Sequence, residues 1–182
     1  LKKMLNNHKK ITLSDLIDID FLQELQDNFA ETMGVASLTV DDNGPITKPS
    51  NFTDFCTNHI RANKLGAQRC NKCDIEGGQL AVEKGESVIY TCHAGLTHFV
   101  VPIIVKGKHL ASILGGQLDT AKPDEKHFQN IAVELGITEK NKYIEDLRKI
   151  KVVPEESIKV AVKLLSLVVN SISIIAHKNY EL

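Results

Sequence analysis

The sequence predicts an α+β fold, in which a five-stranded antiparallel sheet carries flanking helices and ends in a long C-terminal helix. Three observations lead to this prediction. Helical and extended patterns alternate along the chain, residues 97–118 have the pattern of an apolar β-hairpin, and residues 154–177 have one uninterrupted helical pattern. The 182 residues suffice for one core but not for two ordinary domains with a linker. We therefore expect a single domain over residues 1–182, with its core at about 12–178.

The first half of the chain predicts three helices and three strands. Residues 13–33 place apolar side chains on one helix face, with Ser14 or Asp15 as the N-cap and Gly34 as the terminator. A strand at 35–40, a turn at 41–44 and a second short strand near Ile46 follow. Residues 52–62 and 67–84 predict helices, the latter loosened by two central glycines, and residues 87–91 predict a third strand.

The second half begins with the clearest element, a hairpin of strands 97–105 and 108–118. Lys106 and Gly107 form a two-residue turn, with glycine where a positive φ is needed. This turn predicts a register that pairs Leu96 with Gln117 and His98 with Gly115. Helices are predicted at 124–135 and 139–150, and a last helix runs from Pro154 to about His177.

Composition and charge exclude several classes of protein. Apolar residues make up 42% of the chain, and the net charge of −1 provides no field that would attract nucleic acid. No secretory leader or long uncharged apolar run is present, which favours a cytoplasmic protein without a membrane anchor. The chain begins at Leu1 rather than Met, so we expect it to be part of a longer protein.

Four cysteines lie in one window of the chain, at Cys56, Cys70, Cys73 and Cys92. Thiols stay reduced in the cytoplasm, so a group containing C-x-x-C favours metal ligands over disulfides. We expect one tetrahedral site with Zn²⁺ as the favoured ion and an iron–sulfur cluster as the alternative. His59 and His93 would replace a cysteine that is not a ligand. The competing interpretation is that two or three of these cysteines are ordinary core residues.

Several short motifs closely resemble the PocR-type sensory domain across roughly residues 12–177. They are Phe55-Cys56, Cys70-Asn71-Lys72-Cys73, the Tyr-Thr-Cys-His-Ala-Gly-Leu run at 90–96, Val101-Pro102-Ile103 and Gly115-Gly116-Gln117. The resemblance implies a variant PAS-like fold, found upstream of DNA-binding modules or histidine kinases in bacterial regulators. It also implies sensing of small organic molecules such as diols, with the output module outside this sequence.

One face of the hairpin predicts a small-molecule pocket. Gly115 leaves volume there, while His98 and Gln117 offer hydrogen-bond donors and acceptors. His93 and Phe99 complete the candidate ligand-binding set, and a diol or alcohol is the expected ligand. The alternatives are that Gly115-Gly116 makes a bulge that shifts the register, and that His98 is an ordinary hydrogen-bonded core histidine.

The sequence does not predict an enzyme. It has no phosphate-binding loop, no paired metal-binding carboxylates and no Gly-x-Ser-x-Gly motif. Cys92 with His93, or Cys56 with His59, could supply a nucleophile and a base, but adjacent strand residues point to opposite faces, which weakens the Cys92–His93 pair. The alternative function is a thiol- or iron–sulfur-based redox sensor, which would need exposed cysteines of low pKa.

The helix at 154–177 has more apolar surface than a single core requires. Its polar side chains form one narrow stripe at steps of three and four, comprising Lys159, Lys163, Ser166, Asn170, Ser173 and His177. The surplus predicts a homodimer in which one side of the helix packs on its own sheet and another on a second copy. The alternative is a central helix buried within the monomer.

Overall fold

A six-stranded sheet forms the centre of the protein, whose computed structural model describes residues 11–181. Five strands pair antiparallel in the order β2-β1-β5-β4-β3, and β6 pairs parallel with the end of β5. The strands are β1 (Ala36–Asp41), β2 (Gly44–Pro45), β3 (Val88–Thr91), β4 (Thr97–Val105), β5 (Lys108–Asp119) and β6 (Lys151–Val152). The predicted α+β fold with an antiparallel sheet and a long C-terminal helix is confirmed.

Five α-helices surround the sheet, and their ends follow the capping signals of the sequence. They are α1 (Ile19–Met33), α2 (Lys64–Lys84), α3 (Glu125–Glu134), α4 (Lys140–Leu147) and α5 (Glu155–Glu181). The predicted helix at 13–33 is divided into a 3-10 turn, Leu13–Asp15, and α1, because Asp18 caps α1 by accepting from the Asp20 amide at 2.8 Å. Gly34 ends α1 with a φ of 61°.

The two faces of the sheet carry different layers. On one face Phe99, Val101 and Ile103 pack with residues of α1 and α5 in the largest core. On the other face Val100 and Leu114 pack beneath α2. A third core joins α3 and α4 to a π-helical segment, Phe55–Ile60, and to the β3–β4 turn.

The glycines at 77 and 78 allow α2 to pack closely on the sheet and do not interrupt the helix. A Cβ at Gly77 would lie 2.6 Å from the Tyr90 hydroxyl, and one at Gly78 would lie 2.8 Å from Ser112 Oγ. The expected loosening is therefore wrong. The glycines let backbone and sheet approach each other, while α2 remains continuous from Lys64 to Lys84.

The register of the β4–β5 hairpin differs from the predicted one. The Lys106-Gly107 turn is present and Val105 pairs with Lys108, but an irregularity between Ile103 and Ile104 shifts the pairing beyond it. His98 consequently pairs with Gly116, and Phe99 pairs with Gly115. A period-two pattern does not show which residue is inserted, and such a bulge moves the side chains that follow it to the opposite face until a second irregularity, between Thr97 and His98, shifts the register again.

Helix α5 has one buried and one exposed apolar side. The buried side faces the sheet and consists of Ile158, Ala161, Val162, Leu165, Val169, Ile172 and Ala176. The exposed side, called here the α5 stripe, consists of Val160, Leu164, Leu167 and Ile174, with Ser171 between them. By length and composition α5 could also cross a membrane, but one third of its most apolar window (33%) is buried against the rest of the protein.

Candidate ligand-binding site

His98 is the most unusual side chain between α2 and the sheet. It lies on β4, and both of its ring nitrogens are buried without a hydrogen-bond partner among the described residues. The ring fits because its partner is glycine, since a Cβ at Gly116 would lie 2.7 Å from His98 Cγ. Burial, followed by the positive charge of Arg61, lowers the pKa of His98 to about 4. His98 is therefore neutral at pH 7, with one donor and one acceptor unused.

Two small cavities meet at His98. The first, called here the β1 cavity, lies against β1 and is bordered by Leu38, Phe52 and Gly115. The second, called here the cysteine cavity, lies toward the β3–β4 turn and is bordered by His93 and all four cysteines. Each has a volume of about 10 Å³, room for about one water molecule. Arg61, Asp74, His98 and Gln117 border both.

Gln117 reaches the cavities because it is the extra residue of a second bulge in β5. Thr97 pairs with Leu118 and His98 with Gly116, so Gln117 has no partner on β4 and adopts a φ of 59°. Its Oε1 accepts hydrogen bonds from the Thr53 amide at 2.8 Å and the Thr53 hydroxyl at 2.9 Å. These bonds hold the amide of Gln117 at the edge of both cavities.

Phe99 does not belong to this group of side chains. Its ring lies on the opposite face of the sheet, 6.4 Å from the Phe29 ring, within the core beneath α1 and α5. Phe99 occupies the space that a side chain at position 115 would need, because a Cβ on Gly115 would overlap its ring. Phe99 therefore acts on the site through the backbone of Gly115, and the structure places no Phe99 atom at either cavity.

A largely buried ion pair, which the sequence did not predict, borders both cavities. Arg61 Nη2 donates to Asp74 Oδ2 at 2.7 Å, and the two side chains are 21% and 6% exposed. Arg61 follows the π-helical segment and Asp74 lies within α2. A single charged residue on each of two predicted helices does not indicate an ion pair. The one available signal was Asp74, a charged residue that directly follows Cys73 on the side of α2 that otherwise faces the core.

Two more buried polar atoms near the cavities lack partners. The Tyr90 hydroxyl lies against Gly77 of α2, and its ring centroid is 5.8 Å from that of His98. His93 Nδ1 is also unpaired, while His93 Nε2 lies 3.1 Å from Cys70 Sγ. Burial lowers the pKa of His93, which favours the neutral ring, and the tautomer of that ring decides whether His93 Nε2 or the Cys70 thiol is the donor.

The predicted metal site is wrong. The four cysteines border one cavity, but no group of three or more His, Cys, Asp or Glu side chains within residues 11–181 is arranged to hold a metal ion. This finding applies to zinc and to the iron–sulfur alternative, and the described residues contain no disulfide-bonded cysteine. The physical reason is that Cys56, the Cys70/Cys73 pair and Cys92 lie on three separate elements, whose packing does not gather their sulfur atoms.

The thiols also lack the low pKa values of redox-active cysteines. Burial raises the pKa of Cys56 to about 11 and that of Cys70 to about 12, and it raises the pKa values of Cys73 and Cys92 as well. The thiolate is the reactive nucleophile, so these protonated thiols disfavour a thiol-based redox sensor. Cys56 packs in the third core as a small apolar side chain.

His59, the other suggested substitute ligand, has a structural partner. Its Nε2 lies 2.9 Å from Asp146 Oδ2 of α4, and both side chains are buried. Lys149 Nζ lies 2.8 Å from the second oxygen of this carboxylate, and these hydrogen bonds keep the pKa of Asp146 far below its usual range. The pair therefore fastens the cavity-lining segment to α4.

The β3–β4 turn carries the most specific part of the sequence resemblance. Cys92 N donates to Leu96 O at 2.8 Å and Gly95 N to Cys92 O at 2.9 Å, which closes a tight turn at residues 92–96. Gly95 has a φ of 86°, and a Cβ there would lie 3.0 Å from the Phe128 ring. The turn sets His93 beside Cys70 and ends where β4 begins, so these motif residues shape the wall of the cysteine cavity.

Comparison with known proteins identifies the family to which the chain belongs. The family model described as the sensory domain found in PocR matches residues 15–177. The regulatory protein PocR of Salmonella typhimurium is 32% identical over 103 residues, which is 56% of this chain and 34% of that protein. The chain thus spans about one third of the length of this relative. Because the family model covers most of the chain, the protein belongs to the PocR sensory-domain family.

Proposed function

We propose that this chain is the ligand-sensing input domain of a bacterial transcription factor or histidine kinase, and that it binds a small uncharged organic molecule such as a diol or alcohol. In this proposal residues 12–178 form one cytoplasmic sensory domain without catalytic activity. It contacts neither nucleic acid nor membrane, and its output module lies in another part of the regulator. Membership of the PocR sensory-domain family supports the general role.

The observation that carries the ligand proposal is the unpartnered ring of His98. A buried donor or acceptor without a partner costs about 1–3 kcal/mol, so proteins rarely keep one without a function. Among residues 11–181, both His98 nitrogens, the Tyr90 hydroxyl and His93 Nδ1 are buried and without a partner, and all lie at or near the two cavities. A ligand with two or more hydroxyl groups would satisfy several of these atoms at once, because each hydroxyl both donates and accepts.

The ligand must widen the space in which it binds. Each cavity accommodates about one water molecule, which is less than a diol requires. The two cavities share His98 and Gln117, so a modest displacement of α2 from the sheet would join them into one site. Binding would then be coupled to movement, as sensing requires.

The end of β5 offers a short route from the site to α5. Gln117 precedes Leu118 and Asp119, which pair with Lys151 and Val152 of β6, and α5 begins three residues later at Glu155. Lys151 Nζ also donates to Met33 O at 3.1 Å, so β6 is tied to the end of α1 as well. A ligand that shifts the Gln117 bulge would move the start of α5.

We further propose that α5 forms the homodimer interface through the α5 stripe. The stripe residues Val160, Leu164, Leu167, Ser171 and Ile174 follow one another at steps of four and three, the spacing of a coiled-coil seam. Leu167 is 66% and Val160 60% exposed, so the monomer leaves this seam uncovered. Val168 and Ile172 contact the monomer core instead. The proposed interface is therefore centred on the α5 stripe and leaves out Val168 and Ile172.

A thermal-shift screen tests the ligand proposal. A panel of two- to six-carbon diols and alcohols is added to the wild-type protein and to His98→Leu. A ligand at one hundred times its Kd stabilises the protein by about 2.7 kcal/mol. For a protein of this size, this stabilisation raises Tm by about 5–10 °C. A shift in the wild type that His98→Leu loses supports the proposal. A panel without effect on the wild type, or with equal effect on both proteins, rules it out.

A further inference from the structure

The Arg61–Asp74 ion pair divides the space that the ligand would occupy. Both side chains border the β1 cavity and the cysteine cavity, and they meet at 2.7 Å. Arg61 and Asp74 come from different elements, the end of the π-helical segment and the middle of α2. A molecule that spans both cavities would therefore come close to this pair, together with His98 and Gln117, which also border both.

The charges of the pair balance each other within the protein. The Arg61 guanidinium donates to Asp74, approaches Asn71 Oδ1 at 3.4 Å and lies 5.1 Å from the centre of the Phe52 ring. The neighbouring ring of His98 is neutral at pH 7 because burial depresses its pKa. The wall of the site is thus polar but carries no net charge.

Such a wall discriminates by charge. A carboxylate that entered would lie beside the Asp74 carboxylate, and an ammonium group would lie beside the Arg61 guanidinium, with no unmatched countercharge for either. A hydroxyl group would accept from Arg61 and donate to Asp74 without adding charge. The arrangement therefore favours uncharged, hydroxyl-bearing molecules.

We propose that the Arg61–Asp74 pair is the selectivity element of the site, which contacts the ligand and admits a neutral polyol while rejecting acids and amines of the same size. This inference rests on the proposed function, since it concerns the same pair of cavities. It adds two ligand-contacting residues, Arg61 and Asp74, that lie outside the hairpin.

A matched set of three molecules tests the inference by calorimetry on the 182-residue chain. Propane-1,2-diol, lactate and 1-aminopropan-2-ol share one carbon skeleton and differ in the charge of one end group. The wild type should bind the diol most tightly. Removing one partner of a buried charge pair is costly, so Asp74→Asn should weaken diol binding about tenfold or more and shift the preference about tenfold toward lactate. Arg61→Gln should shift the preference toward the amine.

Glu76→Gln is the matched control, because it removes an equal charge from the same helix at an exposed pair, Lys72–Glu76. It should leave all three Kd values unchanged. If either single variant fails to fold, the double variant Arg61→Gln/Asp74→Asn replaces it, since it leaves no unpaired buried charge. Its diol affinity should fall while its Tm stays near that of the wild type.

The outcomes separate the two proposals. Diol binding that is retained in Asp74→Asn and the double variant, with unchanged charge preference, overturns the selectivity inference but leaves the ligand site standing. A wild type that binds none of the three molecules, or any member of the wider panel, overturns both. A shift in preference in Asp74→Asn that Glu76→Gln does not show supports the inference.

Discussion

Replacing His98 by leucine should make the protein more stable and less sensitive to acid. At pH 7 the neutral ring leaves two buried nitrogens without partners, and leucine of similar volume would remove that cost. We expect a gain of about 1–2 kcal/mol in the free energy of unfolding. The variant should lose its response to any diol at the same time, because the stability cost and the ligand contacts come from the same two atoms.

The acid sensitivity follows from the pKa of His98. The ordinary value is 6.5 and the folded value about 4, so between these values the unfolded chain takes up a proton that the folded chain does not. His98 therefore makes stability independent of pH above about 6.5 and lowers the free energy of unfolding progressively as the pH falls from 6.5 toward 4. Between pH 7 and pH 4.5 the loss amounts to about 2 kcal/mol, with 1.36 kcal/mol per pKa unit.

Urea unfolding at pH 7 and pH 4.5 measures both effects, with the wild type and His98→Leu compared. The reasoning is refuted if wild type and His98→Leu lose the same free energy between the two pH values. It is equally refuted if the leucine variant is less stable than the wild type at pH 7.

Three further predictions concern the packing and the interface. Gly77→Ala should lower the free energy of unfolding by about 1–2 kcal/mol in urea titration, because the added Cβ would collide with the Tyr90 hydroxyl. This loss is expected even though alanine is favoured over glycine in helices by about 1 kcal/mol. Gln79→Ala, on the exposed side of the same helix, should not be destabilising, and a stabilising Gly77→Ala would contradict the packing. Leu167→Glu should convert the dimer to a monomer in sedimentation while Tm stays unchanged. The control Val133→Glu, at an exposed position of α3, should leave the dimer intact. A wild-type protein that stays monomeric at high concentration would contradict the proposed interface. Iodoacetamide at pH 7.5 should modify the four cysteines far more slowly in the native protein than in urea, because burial raises their pKa values in the folded state. Rapid labelling of two or more cysteines in the native protein would favour redox sensing instead.

The hairpin shows where sequence patterns succeed and where they stop. The two-residue turn at Lys106-Gly107, the apolar strands on both sides and the faces of β4 follow from local chemistry and alternation, and the structure contains all three. The predicted register of β5 was wrong because of an irregularity near Ile104, and a second bulge at Gln117 shifts the register once more. The alternation of apolar and polar residues does not show which residue is unpaired, so each inserted residue reverses the predicted faces of the residues that follow it.

The cysteines illustrate a different limit. Their spacing predicts a common location, and all four do border one cavity. Whether they form a metal site depends on the relative orientation of three elements, which sequence spacing does not specify. The buried polar pair of Arg61 and Asp74 was missed for the same reason, since two residues on different helices become partners only when the helices pack.

The sequence by itself determined the α+β class, the hairpin turn, the Gly34 end of α1, the long final helix and the family motifs around residues 90–96. Each of these depends on contacts between residues close in the chain. Only the tertiary structure decided that His98 lacks partners, that Arg61 meets Asp74, that the cysteines do not gather around a metal and that the α5 stripe stays uncovered. These properties depend on which surfaces remain after distant segments have packed together, and no local pattern contains that information.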